Sequence, residues 1–223
     1  MPLTKILFND MTTAINTNAR DLFRGAFENR YTWGDNFPGY SATIELSQGD
    51  ETFTGKVAIA PDFSVTVDGV ENPDVVKTLE IQLKDIVTHR RSSTFDKVHG
   101  ENKFALGETD ETGAVEIKVS GKSMGSGYKV RGKEICHVSR AVGPMRFEID
   151  TRNTLDTGKG YVPTQTDASF YKGDTGDLIK QVSYEDSYEK IGDYYLMVHQ
   201  TLRVLEKGQE TVTELKFSDV TLN

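Results

Sequence analysis

Val115-Glu116-Ile117-Lys118-Val119, Tyr128-Lys129-Val130 and Met145-Arg146-Phe147-Glu148-Ile149 are the segments that decide the fold of this chain. In each, apolar side chains recur at every second residue, the period of a strand with one face turned inward. The same alternation, or an apolar run of strand length, returns over residues 135–142, 168–170, 179–184, 194–205 and 212–222. Turn formers separate most of these segments: Glu111-Thr112-Gly113, residues 121–127, Gly143-Pro144, Gly158-Lys159-Gly160, Gly173-Asp174, Gly192-Asp193 and Lys207-Gly208. Strands joined by such short connections pair antiparallel, since a parallel return needs a crossover of about a dozen residues. Residues 103–223 contain no such crossover and read as one long meander.

Upstream, Tyr40, Ala42, Ile44 and Leu46 alternate as well. Phe53, Val57, Ile59, Phe63, Val65 and Val67 all hold odd positions, interrupted by Pro61-Asp62, which implies two short strands or one bent edge strand. Two helices are legible. Ala19, Leu22, Phe23, Ala26 and Phe27 form one apolar stripe, with Thr17 or Asn18 as its cap. Asn72, Pro73 and Asp74 supply a cap, a first-position proline and a first-turn carboxylate. Val75, Val76, Leu79, Leu83, Ile86 and Val87 continue that second helix, and His89-Arg90-Arg91 close it, where cations suit the dipole. A large twisted sheet curls. The expected class is therefore α+β: a long antiparallel meander forming a strongly curved sheet or half-open β-barrel wrapped around two helices, one domain over residues 1–223.

Composition narrows the function. The 223 residues carry 26 Lys and Arg against 34 Asp and Glu, a net charge of −8. That balance argues against binding nucleic acid through its phosphates and against a polybasic hold on anionic lipid. One cysteine excludes an intramolecular disulfide and a cysteine-rich zinc module. No apolar run reaches the length of a membrane span. The run from Ile6 to Phe8 stops at Asn9 and Asp10, short of a secretory core. A soluble, acidic, cytoplasmic protein is expected.

Motifs for chemistry are weak. Ser120-Gly121-Lys122-Ser123 lacks the first glycine of a phosphate loop, because Glu116 holds that position, and a strand pattern follows where a helix is needed. It reads as a hairpin turn. Gly125-Ser126-Gly127 lacks the strand–helix frame of a dinucleotide site. Cys136 and His137 are strand neighbours and point to opposite faces, so the cysteine reads as structural. His89, His99, His137 and His199 have no ligand spacing. No cofactor, metal or catalytic residue is assigned, and a non-enzymatic protein is expected. The aromatic set Tyr184, Tyr188, Tyr194 and Tyr195 suits core or cavity lining better than a dedicated stacking platform.

The segments Asp21-Leu22-Phe23-Arg24-Gly25-Ala26-Phe27-Glu28-Asn29-Arg30, Phe37-Pro38-Gly39-Tyr40-Ser41-Ala42 and Gly55-Lys56-Val57 resemble an uncharacterised family of about this length from cyanobacteria and plastid-bearing organisms. That resemblance brings no activity with it. More distantly, the layout is similar to the periplasmic lipoprotein-carrier superfamily. An N-terminal helix precedes a strand over residues 37–46, a Gly-Lys strand over residues 55–61 continues into residues 63–67, and residues 211–223 close the chain. This resemblance implies a half-open barrel with an apolar cavity for acyl chains. Those carriers are exported, whereas no export signal is read here.

Two functions follow as expectations. The first is a carrier or chaperone-like binding protein whose concave sheet holds a lipid or other hydrophobic small molecule, because a large apolar face covered by two helices leaves surface unfilled. Phe53, Val57, Phe63, Val65, Met145, Phe147 and Ile149 are its candidate walls, and His89, Arg90 and Arg91 a candidate anionic head-group site. As a helix end that triplet is also explained without any ligand. The second is an interaction or assembly protein with a filled core and a protein partner. A cluster of His, Asp and Tyr in a polar pocket would mark an enzyme instead.

Overall fold

The computed structural model describes residues 19–223. The expected caps Thr17 and Asn18, and the Ile6–Phe8 run, lie outside the described residues. A first helix, α1, covers residues 19–28. After it come β1 (Tyr40–Gln48), β2 (Glu51–Ile59) and β3 (Val65–Asp68), then α2 (Pro73–Arg90) and α3 (Phe95–His99). Nine strands complete the chain: β4 (Lys103–Thr109), β5 (Val115–Ser120), β6 (Ser126–Arg131), β7 (Glu134–Val142), β8 (Met145–Asp156), β9 (Tyr161–Lys172), β10 (Leu178–Ile191), β11 (Tyr194–Glu206) and β12 (Gln209–Leu222).

All twelve strands form one sheet in the order β3-β2-β1-β12-β11-β10-β9-β8-β7-β6-β5-β4. Every pairing is antiparallel. The meander read over residues 103–223 is present, and β12 closes onto β1 to extend it. Pro61-Asp62 divides two strands rather than bending one. The sheet is open and curved, with β3 and β4 as its two edges. The chain leaving β3 must therefore cross the concave face to reach β4, and that crossing carries α2 and α3.

Register fixes which residues face inward. Leu46 lies opposite Leu215 and Ile44 opposite Phe217, while Leu215 lies opposite Gln200 and Gln200 opposite Asp186. A second row runs Val204, Val182, Ala168, Ile149, Val138, Tyr128 and Ile117. Directly opposed residues share a face, so both rows line the concave side.

Two separate clusters fill the ends of this face. One joins Leu79, Leu83, Ile86 and Val87 of α2 to Ala42, Ile44, Leu46, Val57, Ile59, Leu215 and Phe217. The other joins Phe23 and Phe27 of α1 and Phe95 of α3 to Phe104, Ile117, Tyr128 and Val130. Helix α2 starts as its sequence implies: Asn72 Oδ1 accepts from the amides of Asp74 at 3.0 Å and Val75 at 3.4 Å. Helix α3 was not legible in the sequence. It is a single five-residue turn capped by Thr94, whose Oγ1 accepts from the Lys97 amide at 3.3 Å.

Residues 29–39 link α1 to β1 as a strap along one rim of the concavity. The Tyr31 amide donates to the Tyr161 carbonyl at 2.8 Å, and the Tyr161 amide donates to the Asn29 carbonyl at 2.9 Å. Trp33 donates its amide to the Arg90 carbonyl at 2.7 Å and its indole N–H to the Tyr195 carbonyl at 3.3 Å. Its ring stacks on Phe37, with centroids 4.2 Å apart. Gly160 permits the close approach: its φ is +126°, and a Cβ there would sit 2.5 Å from the Asn29 carbonyl oxygen.

Candidate functional site

Between the two clusters the concave face is partly open. Phe147 and Ile149 on β8, Phe170 on β9, and Leu202 and Val204 on β11 are half-buried, while Ala168 and Val182 among them are buried. None of these belongs to either cluster. They form an apolar strip across β8–β11, and Phe147 lies directly opposite Phe170 with ring centroids 6.3 Å apart.

A polar seam runs beside the strip. Arg90, in the last turn of α2, is only 7% exposed and points inward. Its Nη2 donates to the Tyr188 hydroxyl at 3.0 Å. Tyr188 in turn donates to Asp186 Oδ2 at 3.4 Å, and Gln200 Nε2 donates to Asp186 Oδ1 at 2.9 Å. On the other side Arg140 Nη2 donates to the Tyr128 hydroxyl at 2.9 Å. Arg30 lies between, its Nε donating to the Phe27 carbonyl at 3.0 Å and its guanidinium carbon 3.8 Å from the centre of the Phe27 ring. Two buried atoms, the Tyr40 hydroxyl and Gln200 Oε1, have no hydrogen-bond partner among the described residues.

Burial sets the electrostatics here. It pushes Tyr184 and Tyr188 up to about 12, holding both hydroxyls neutral. It also pushes the Asp186 carboxyl up to about 6, against the opposing pull of Gln200, Arg90 and Tyr188. A carboxyl raised from roughly 3.9 in the unfolded chain favours folding most while protonated, below about pH 4. That contribution is lost as pH rises through 6. The full linkage is roughly 3 kcal/mol, and partial solvent contact about halves it. Asp186→Asn, which keeps an acceptor for Gln200 and cannot ionise, is expected to stabilise the protein by about 1–2 kcal/mol at pH 8. Below pH 4 the gain should vanish. Urea midpoints at the two pH values check both halves.

The sequence-derived candidates divide between regions. Strands β2, β3 and β8 turn their candidate side chains to the concave face, and Phe63 lies in the turn between β2 and β3. Val57 is buried in the cluster packed with α2, and Phe53, Phe63 and Val65 pack against that same cluster. Phe147 and Ile149 lie on the open strip, and Met145 is exposed at its end. The basic triplet does not converge. Arg90 enters the seam, exposed His89 pairs with Asp85 at 3.5 Å, and exposed Arg91 sits 5.4 Å from the centre of the Phe63 ring. Of the tyrosines, Tyr184 and Tyr188 line the seam, whereas Tyr194 bonds the Asn36 carbonyl at 3.0 Å and Tyr195 bonds the strap. Arg30, Arg140, Asp186 and Gln200 were missed. No local signal marks them, because they come from four elements that only the register unites.

Other chemistry is dispersed. Cys136 is the extra residue of a bulge, since Lys129 pairs with His137 and Val130 with Ile135. Burial raises its thiol pKa, consistent with a structural role. The His137–Asp150 contact of 2.8 Å lies on the outer face. Also outside is a shallow groove of about 330 Å³ over β1–β3 and β12, rimmed by Ser41, Thr43, Lys56, Asp68 and Asp219. Among the described residues, no group of three or more His, Cys, Asp and Glu is placed to hold a metal, and no helix is long and apolar enough to cross a membrane.

The model of one family, described as protein of unknown function DUF3386, matches residues 14–222. The chain belongs to the DUF3386 family. No curated protein matches it. Among solved structures, this DUF3386 chain is similar to a domain described as an outer membrane lipoprotein-sorting protein from Vibrio parahaemolyticus. The two share 14% identity over 93% of each chain, with a TM-score of 0.36. It is also similar to a DUF1329 family protein from Desulfovibrio piger, at 11% identity over 94% of this chain and 93% of that one, with a TM-score of 0.33. A third likeness is to MucB in complex with MucA, at 12% identity, coverage of 92% and 94%, and a TM-score of 0.22.

Proposed function

We propose that this protein is a non-enzymatic binding protein that holds an apolar chain on the concave strip of β8–β11. The observation that carries the reading is the strip itself: large apolar side chains, half-buried and outside both helix-covered clusters, beside a buried polar seam. A concave apolar surface with a few convergent polar groups is the usual form of a small-molecule site. Bound cargo would remove the exposed parts of Phe147, Ile149 and Phe170 from water, at about 25 cal/mol per Å² of apolar surface.

Native purification followed by extraction and mass spectrometry, together with displacement of a fluorescent fatty acid, tests it. A co-purifying amphiphile or clear displacement supports the reading; neither would defeat it. Ile149→Glu places a carboxylate on the strip and is expected to weaken fatty-acid binding about tenfold or more.

One observation favours a second reading, a protein that docks onto a partner. Met124, Val142, Met145, Leu178 and Leu205 are exposed. Register sets the hairpins that carry them along one rim: β5–β6, β7–β8, β9–β10 and β11–β12. Absence of any cargo would leave this rim as the working surface.

A further inference from the structure

We infer that Arg30, Arg90 and Arg140 form the head-group end of the cargo site and take the carboxylate or phosphate of an anionic amphiphile. The inference rests on the cargo reading and adds the charge of the cargo.

The three arginines come from the strap after α1, the last turn of α2 and strand β7, yet they border one seam. Arg30 pairs through its backbone with Tyr161, and three residues later Trp33 bonds the Arg90 carbonyl at 2.7 Å. A run of three residues spans at most roughly 10 Å, so the strap holds the backbones of Arg30 and Arg90 within about that distance. Arg140 reaches the same region from β7. Its partner Tyr128 and the Phe27 ring beneath Arg30 both contact the His99 ring, with centroids 6.0 and 5.1 Å away. Arg90 and Arg140 both act on Arg30 as like charges.

Like charges brought together in a half-buried site repel unless an anion lies among them. The described residues supply little. No ion pair among them involves Arg30, Arg90 or Arg140. The carboxylate of the seam, Asp186, acts on Arg90 only through the intervening Tyr188 hydroxyl and is itself engaged by Gln200 and Tyr188, so neither Arg30 nor Arg140 has a carboxylate partner among the described residues. Each guanidinium carries five N–H donors in a fork that suits a carboxylate or phosphate. Arg30 and Arg140 each spend one on the bonds described above, to the Phe27 carbonyl and the Tyr128 hydroxyl. The orphaned Tyr40 hydroxyl, a buried donor without an acceptor, is a second sign of a polar ligand, since buried polar groups are ordinarily paired. Finally, Arg140 lies directly opposite Phe147, so the cationic seam abuts the apolar strip. Charge at one end and grease along the other is the complement of an anionic amphiphile, not of a free inorganic ion.

Calorimetric titration of the full chain at pH 8 with dodecanoate, dodecyl phosphate, 1-dodecanol and inorganic phosphate tests this. Dodecanoate or dodecyl phosphate should bind about tenfold or more tighter than 1-dodecanol, the range of a charged hydrogen bond. Arg140→Met, at an exposed position, and Arg30→Met should each shrink that preference, costing the anionic ligands more affinity than dodecanol. Circular dichroism confirms the fold of each variant, and Arg140→Met alone suffices if Arg30→Met does not fold. Equal affinity for dodecanol and dodecanoate overturns the head-group assignment and leaves the cargo reading intact. Binding of none of the four defeats both. Inorganic phosphate binding as tightly as dodecyl phosphate overturns the amphiphile in favour of a free anion.

Discussion

Phe23→Ala is expected to cost about 3–5 kcal/mol of folding free energy, the range for emptying an aromatic site that cannot collapse. Phe23 is fully buried and joins α1 to β4, β6 and α3. Its ring lies 4.4 Å from that of Tyr128 on β6, 5.4 Å from Phe104 on β4, and 5.7 and 5.0 Å from Phe95 and His99 on α3. Phe27, one turn on, is 6.5 Å away. Removing the ring leaves faces of five aromatic side chains without a partner, and none can swing into the space without leaving another contact. A chain of this size should lose roughly 6–20 °C in its thermal midpoint. The urea midpoint should fall with an unchanged slope. Ile81→Ala, at a position 55% exposed on α2, is the control and should stay within about 0.5 kcal/mol. A drop below about 1 kcal/mol for Phe23→Ala would show that α1 does not fold cooperatively with the sheet.

The position of Phe23 was legible in the sequence; its partners were not. Periodicity told that Phe23 and Phe27 share a helical face and that Ile117 and Tyr128 each fall on an apolar strand position. It could not tell that these faces meet, because α1 and β6 are joined by a chain that first builds β1–β3 at the other end of the sheet. The same gap explains the site. Alternation put Val57 and Ile149 on inward faces correctly, yet whether an inward face is filled depends on where a helix lands. Helix α2 lands over β1–β3 and β12, filling the first and leaving the second half-open. In the sequence His89, Arg90 and Arg91 form one basic patch. Successive positions at a helix end are rotated by about 100°, so one side chain turns inward and its neighbours cannot follow. Arg30 and Arg140 look like ordinary surface arginines until Tyr161 draws one in by its backbone and Tyr128 holds the other by its hydroxyl.

His99 should make the protein acid-labile between about pH 6.5 and pH 4. Its imidazole is 3% exposed, packed against Phe23, Phe27, Phe95, Phe104 and Tyr128. Nδ1 meets Asn102 Nδ2 at 3.2 Å, a contact that a neutral ring accepts and a protonated ring opposes. Burial in that aromatic cage, reinforced by Arg140, Arg30 and Arg20, lowers its pKa to about 4 from an ordinary 6.5. The folded form therefore binds the proton less readily than the unfolded chain. The stabilisation is fully present above about pH 6.5 and is lost as pH falls towards 4, to a limit of about 3 kcal/mol. Asp186 changes in the opposite sense over an overlapping window, so the wild-type profile alone would mix the two. The difference between wild type and His99→Gln isolates the imidazole, since Gln accepts from Asn102 and does not titrate. The variant pays a pH-independent penalty for its amide among the rings, but the gap between the two proteins should narrow steadily from pH 7 to pH 4. A constant gap would mean that His99 is solvated in the folded protein and that the aromatic cage opens. In that case the Phe23 cluster would be softer than its packing implies, and Phe23→Ala should fall at the low end of its range.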